Sequence, residues 1–263
     1  MKSDLTRSTG RGLEGEFREV GCLSGNQRAE GVELPIGMAS ALATAYLTCY
    51  NAAQSFGWAI VLMRLINHVV ETKSLLGGFS AAGDVVCFLQ LSAFLEIVHS
   101  VLGLVRTGTL YAFMQWLGRS HVLFAIIAKL PEVQDQPPVM ITFLAWSMSE
   151  VIRYPQYALG LVGLCPYWLT WLRYTAFIIL YPIGALYGEM FAMYLSLDSI
   201  KKKDLYANSF KWLPFDYHSF VVGLMLVYPF LWLVLYLHMF RQRKSKLSKR
   251  GSSGNRRKPK RVD

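Results

Sequence analysis

Charge is scarce in this chain. Asp, Glu, Lys and Arg make up only 17% of 263 residues, against 53% hydrophobic residues. Cysteine is scarcer still: Cys22, Cys49, Cys87 and Cys165 stand far apart, without the paired spacing that zinc or dithiol chemistry uses. Cys87 has no arginine six residues on, which excludes a phosphatase-type cysteine loop. There is no glycine-rich phosphate loop and no serine nucleophile elbow, and the five histidines form no HExxH pair. No cofactor or metal is therefore expected. The first 34 residues mix Arg, Glu, Gly and Ser without an apolar run, so they read as a polar tail and not as a signal peptide.

What the chain has is apolar sequence in long blocks. A spanning helix needs roughly 20 mostly apolar residues. Six stretches qualify, at about 40–66, 83–105, 109–129, 138–162, 170–195 and 216–240. The first is the least clean, because Asn51 and Gln54 interrupt it and Arg64 lies near its end. The linkers leave no room for a separate soluble domain. The expectation is an all-α integral membrane bundle of six transmembrane helices over 35–240, with a flexible tail at 1–34 and a disordered basic tail at 241–263.

That last segment holds eleven Lys and Arg against one acid, Asp263. The positive-inside bias puts it in the cytoplasm, and six spans then return the N-terminus to the same side. One loop resists this topology: 197–213 carries Lys201, Lys202, Lys203 and Lys211, offset in part by Asp198 and Asp204. A basic tail beside a membrane helix meets anionic lipid headgroups more readily than nucleic acid, so membrane lipids and no nucleic acid are expected as partners.

Inside the blocks, polar groups recur at helical spacing. FLEIVHSVLG sets Glu96, His99 and Gly103 on one face, with Gly103 small enough for a neighbouring helix to approach. WSMSEVIRYPQYALG sets Glu150, Arg153, Tyr154 and Tyr157 on one face. Arg119 and His121 lie in the third stretch, and Arg64, Asn67 and His68 end the first. Such groups should point into the bundle. The plainest reading of Glu150 with Arg153 is an intrahelical ion pair, and of Glu96 with His99 an interior contact. Tyr154, Tyr157 and Tyr174 also fit a packing or interfacial role. Glu189 differs, because no Arg or Lys lies within a turn of it in WLRYTAFIILYPIGALYGEM. It must find a partner on another helix, stay protonated or line a wet cavity, and an ionisable residue in such a segment marks a functional site by default.

Five segments carry a family resemblance: YLTCYNAAQSFGWAIVL, FLEIVHSVLGLV, FMQWLGRSHVLFAI, WSMSEVIRYPQYAL and LRYTAFIILYPIGALYGE, in order between about residues 45 and 240. The chain resembles the membrane (3R)-3-hydroxyacyl-CoA dehydratases of very-long-chain fatty acid elongation, also called protein tyrosine phosphatase-like proteins. The resemblance implies a six-span enzyme of the endoplasmic reticulum membrane with both termini cytoplasmic. It implies dehydration of a (3R)-3-hydroxyacyl-CoA to a trans-2-enoyl-CoA, alongside an elongase, a 3-ketoacyl-CoA reductase and an enoyl-CoA reductase. The C-terminal PKRVD is not a KDEL-type signal, so residence in the reticulum rests on the resemblance.

The family's catalytic pair, a tyrosine in an LYPxG motif and a glutamate further along the helix, falls here on Tyr181 and Glu189. The family spaces the two by seven, and here they are eight apart, with Gly188 where the acid usually stands. In a straight helix eight residues put the carboxylate about 80° around and about 12 Å along the axis. Pro182, Gly184 and Gly188 offer a kink or a one-residue bulge between them. Eliminating water across C2 and C3 needs a base for the C2 proton and an acid for the hydroxyl. Glu189 as base and Tyr181 as donor fits ordinary carboxylate and phenol acidities, and the reverse stays open because burial can keep a carboxyl protonated. Arg173, at the start of the fifth stretch, is either a contact for the anionic CoA headgroup or a snorkelling residue. Two other classes stay open: an inactive scaffold subunit of an elongase complex, favoured by the altered spacing, and a lipid-binding or transport protein.

Overall fold

The computed structural model describes residues 36–105 and 109–254, and among these no strand occurs. A helical rod lies over each of the six apolar stretches. The first is α1 (Ile36–Thr72). The second is broken at Ala93 into α2 (Gly78–Ser92) and α3 (Phe94–Val101). The third is α4 (Thr109–Ser120), which runs into a π segment, His121–Ile126, and a 3-10 turn, Ile127–Lys129. A single turn, α5 (Pro131–Gln134), precedes α6 (Pro137–Leu161). The fifth rod is α7 (Tyr167–Pro182), a π segment at Ile183–Met190, and α8 (Phe191–Lys202). A short α9 (Ala207–Phe210) leads to α10 (Tyr217–Gly254).

Three of these rods, Gly78–Val101, Tyr167–Lys202 and Tyr217–Lys244, are long and apolar enough to cross a membrane. The other three carry polar groups that serve the interior. Asn51 donates to Leu47 O at 2.6 Å and Gln54 Nε2 to Tyr50 Oη at 3.2 Å, so both side chains donate within their own helix, while Gln54 Oε1 is buried without a hydrogen-bond partner among the described residues. Apolar side chains turned outward, such as Leu226, Phe230 and Val234 at 69%, 72% and 67% exposure, give α10 a face suited to lipid.

The core lies where α1, α2, the π segment after α4, and α6 meet. Trp58, Val61 and Leu65 of α1 join Val86 and Leu89 of α2, Leu123 and Ile126, and Met140, Phe143 and Trp146 of α6. Lipid is as apolar as these side chains, so close packing and buried polar contacts hold such helices together more than expulsion of water does.

Two expectations change. Gly103 lies beyond α3 at φ +70°, and a Cβ there would meet nothing within 4 Å. It serves a left-handed backbone turn and not the close approach of a helix. The boundary drawn at residue 240 also moves, because α10 continues unbroken to Gly254. Arg241–Leu247 is rich in Arg, Lys, Gln and Leu, which are good helix formers, so charge here does not imply loss of structure. The tail at 1–34 and the last residues of the 241–263 segment lie outside the described residues.

Candidate active site

Pro182 has no backbone N–H, so the carbonyl of Ile178 loses its helical partner. Tyr236 of α10 takes that place, donating its hydroxyl to Ile178 O at 3.0 Å. From Ile183 the backbone widens into the π segment and returns to α geometry at Phe191. Such segments use i→i+5 bonds and recur at functional sites. This one occupies the interval between Tyr181 and Glu189, where the sequence carries one residue more than the family spacing. Gly184 and Gly188 let it press on α6. An added Cβ would stand 2.9 Å from Ala145 Cβ at the first and 2.5 Å from Thr142 Oγ1 at the second.

The π segment turns both residues toward α10. The Tyr181 ring stacks on Trp232 and Tyr236, with centroids 5.9 and 6.0 Å away. Glu189 Oε2 accepts a hydrogen bond from Tyr228 Oη at 2.6 Å. Positions 228, 232 and 236 recur every four residues and form one stripe. Tyr181 is therefore level with the interval 232–236 and Glu189 with 228, a separation of about six residues, or ~9 Å, on the axis of α10. The second oxygen, Oε1, accepts from Trp146 Nε1 of α6 at 2.8 Å. Glu189 thus finds partners on two other helices, both neutral donors. The Tyr181 hydroxyl makes no hydrogen bond among the described residues.

A second cluster lies beside the first. Glu150, 1% exposed, accepts from Arg119 at 2.5 Å and from Arg153 Nε at 2.6 Å. Arg153 also holds Glu96 through two 3.0 Å bonds, and Tyr154 donates to the same carboxylate. Two arginines and two glutamates cancel in charge and tie α3, α4 and α6 together, as buried ions require. The intrahelical Glu150–Arg153 pair forms, but it is half of a larger network that spacing along one helix does not show. Arg119 joins the two clusters, because its guanidinium lies over the Trp146 ring, 5.0 Å from the centroid.

The remaining sequence candidates lie outside this core. His99 is buried against Tyr46, Nε2 to hydroxyl 2.9 Å, with Tyr50 edge-on at 4.9 Å. Arg173 donates to Gln156 at 2.6 Å and Tyr157 at 2.8 Å and covers the Tyr157 ring, so it is anchored to α6. Tyr174 is buried beside it. Sequence reasoning missed Trp146 and Tyr228. Their signal was a polar-tipped aromatic in an apolar helix, which needs a partner when buried. Among the described residues no three His, Cys, Asp or Glu converge as metal ligands.

Residues 90–249 match the family model described as protein tyrosine phosphatase-like protein, PTPLA. Very-long-chain (3R)-3-hydroxyacyl-CoA dehydratase 2 of Mus musculus is 34% identical over 213 residues, 79% of this chain and 82% of its own length. Dehydratase 1 of Canis lupus familiaris is 33% identical over 210 residues, covering 78% and 84%. A very-long-chain (3R)-3-hydroxyacyl-CoA dehydratase of Danio rerio is 35% identical over 204 residues, covering 75% of this chain and 56% of its own. No solved structure matches. With the family model over more than half of its length and relatives at a third identity over three quarters of it, this chain belongs to the protein tyrosine phosphatase-like, PTPLA, family.

Proposed function

We propose that this protein is a hydro-lyase that converts a long-chain (3R)-3-hydroxyacyl-CoA to the trans-2-enoyl-CoA and water. The observation that carries this reading is the pairing of Glu189, held by two neutral donors, with Tyr181 on the same face toward α10. Trp146 and Tyr228 each occupy one lone pair of a carboxylate oxygen, and the other lone pairs remain available to accept a proton. With its oxygens oriented by these two donors, Glu189 is assigned the base and Tyr181 the acid. Glu189 takes the C2 proton, which the thioester acidifies. The C2–H electrons form the C2=C3 bond, the C3–O bond breaks, and the Tyr181 phenol proton leaves with the hydroxyl as water. Transfer of the proton from Glu189 back to the Tyr181 phenolate, directly or through water, resets the pair.

The same reading sets the protein in the endoplasmic reticulum membrane, crossing six times with both termini in the cytoplasm. The three polar rods would be spans whose charges face inward, as the cancellation of Arg119, Arg153, Glu96 and Glu150 supports. Elongase, 3-ketoacyl-CoA reductase and enoyl-CoA reductase would be its partners. The eight-residue spacing that favours an inactive scaffold is offset by the π segment, which keeps both residues on the α10 stripe. The test is turnover of 3-hydroxyacyl-CoA by purified protein in lipid discs. Wild type should be active, and Tyr181→Phe and Glu189→Gln should each lose at least a hundredfold. A folded, inactive wild type across chain lengths would defeat the proposal.

A further inference from the structure

Glu189 and Tyr181 are held in different ways. The carboxylate accepts a hydrogen bond on each oxygen, whereas the Tyr181 hydroxyl makes none among the described residues. The two tyrosines of the α10 stripe commit theirs, Tyr228 to Glu189 and Tyr236 to Ile178 O. An uncommitted phenol can give its proton to a substrate, but no polar partner aims it. Its direction is set by the ring, through the two side-chain torsions.

That ring lies against a stack. Trp232 and Tyr236 have centroids 4.8 Å apart with planes at 18°, and Tyr181 lies within 14° of both planes, at 5.9 and 6.0 Å. Offset parallel packing is a preferred geometry for aromatic pairs. Tyr236 is fixed in turn by Phe177 and Phe240, which meet it edge-on at 5.9 and 5.0 Å. Its hydroxyl reaches Ile178 O at 3.0 Å, the carbonyl that Pro182 leaves without a helical donor. Ile178 and Pro182 lie within one turn of Tyr181 on α7. One side chain therefore braces both the backbone that carries Tyr181 and the ring that directs its hydroxyl.

We propose that Tyr236 is a positioning residue for the acid: through Ile178 O and the Tyr181 ring it aims the Tyr181 phenol at the hydroxyl leaving C3. This rests on the dehydratase reading. Tyr236 does not act on the substrate itself, because its own proton is engaged on a backbone carbonyl. Its effect is confined to the half of the reaction that needs a proton at C3. Removal of the C2 proton by Glu189, which Trp146 and Tyr228 orient, does not depend on it.

A leaving group that departs without a proton separates the two halves. In the 3-chloroacyl-CoA of the same configuration, Glu189 takes the C2 proton, the C2–H electrons form the C2=C3 bond, and chloride leaves with the C3–Cl pair. Wild type, Tyr236→Phe and Tyr236→Leu are compared on both thioesters in lipid discs, after subtraction of the reaction without protein. Misplacing a reacting group by about 1 Å can cost about a hundredfold. Tyr236→Leu, which removes ring and hydroxyl, should lower kcat on the 3-hydroxyacyl-CoA about 100-fold. Tyr236→Phe keeps the ring and should lose about tenfold, with KM within about threefold for both variants. On the 3-chloro thioester both should stay within about threefold of wild type, because no general acid is required. Equal losses on the two thioesters would make Tyr236 a packing residue and overturn the proposal, as would full activity of both variants on the 3-hydroxy compound. A folded wild type that eliminates from neither thioester, or chloride alone, would defeat the dehydratase reading and the positioning role with it.

Discussion

Tyr228 Oη donates to Glu189 Oε2 across 2.6 Å, from α10 to the π segment. With Trp146 Nε1 on the other oxygen, it fixes the carboxylate from two sides and from two helices. Neither donor carries charge, so the carboxylate is oriented without being neutralised. Glu150 is in the opposite state, because two guanidinium groups engage its two oxygens. Glu189 is thus a half-buried carboxylate held by neutral donors, and Glu150 a buried one held by cations.

Removing one donor should therefore weaken turnover more than it weakens the fold. A hydrogen bond to a charged group contributes about 1.5–3 kcal/mol. Tyr228→Phe is expected to lower kcat about 10- to 100-fold while KM changes less than about threefold. Steady-state kinetics on a 3-hydroxyacyl-CoA reads both numbers. A fall in melting temperature with no change in kcat would mean that Tyr228 only packs.

Glu150→Gln tests the second cluster. The amide keeps the size but strips the negative charge that Arg119 and Arg153 share. Breaking a buried pair from one side typically costs about 3–5 kcal/mol. The variant should lose more thermal stability in discs than Tyr228→Phe does. Arg119 would also be released from its place over Trp146, so some loss of activity should accompany the unfolding shift.

The far end of the bundle gives a pH prediction. Lys203 Nζ lies 2.6 Å from Glu132 Oε1, both side chains exposed, and the hydrogen bond from Lys203 holds the Glu132 carboxyl below the usual carboxylate range. A depressed carboxylate contributes stability above its unfolded value and loses it as pH falls through the folded one. Lys203→Gln should thus leave the melting temperature at pH 7 almost unchanged, as for most exposed pairs. Any difference from wild type should vanish below about pH 4. A difference that grows on acidification would reverse the sign and refute the pairing.

The helices were legible because apolar blocks of spanning length leave few alternatives. The Glu150–Arg153 pair was legible because i,i+3 neighbours are fixed by helix geometry alone. Partners across helices were not. Trp146 and Tyr228 lie 43 and 39 residues from Glu189, and no periodicity within a helix connects them to it. The α10 extension is hidden for another reason: a run of positive residues suggests a solvated tail, although Lys, Arg, Gln and Leu propagate a helix well. The irregularity after Pro182 was visible as an extra residue, but its form as a π segment depended on Gly184 and Gly188 meeting α6.

That meeting can be tested at one atom. Gly188→Ala places a Cβ 2.5 Å from Thr142 Oγ1 and 3.1 Å from Thr142 Cα. The hydroxyl can rotate away only by breaking its 2.8 Å bond to Pro138 O, and the backbone atom cannot. A loss of about 1–3 kcal/mol follows from overpacking, with Glu189 displaced and activity reduced. Gly160→Ala, in open space near the end of α6, should be neutral or stabilising by up to about 1 kcal/mol. Comparable melting shifts in the two variants would show that the π segment does not press on α6.

The extra residue itself allows a sharper experiment. A π segment absorbs one additional residue while the helix on either side keeps its register. Deleting Tyr187, which is exposed, restores the seven-residue spacing and lets the segment relax to ordinary α geometry. Tyr181 would keep its stack on Trp232 and Tyr236, and the glutamate would still reach Tyr228 and Trp146. The deletion is expected to retain activity within about tenfold and to raise the melting temperature. Deleting Ile179, in regular α-helix and also exposed, turns everything before it by about 100° and should abolish both folding and turnover. If loss of Tyr187 proved as damaging as loss of Ile179, the π segment would not be what keeps Tyr181 and Glu189 in register.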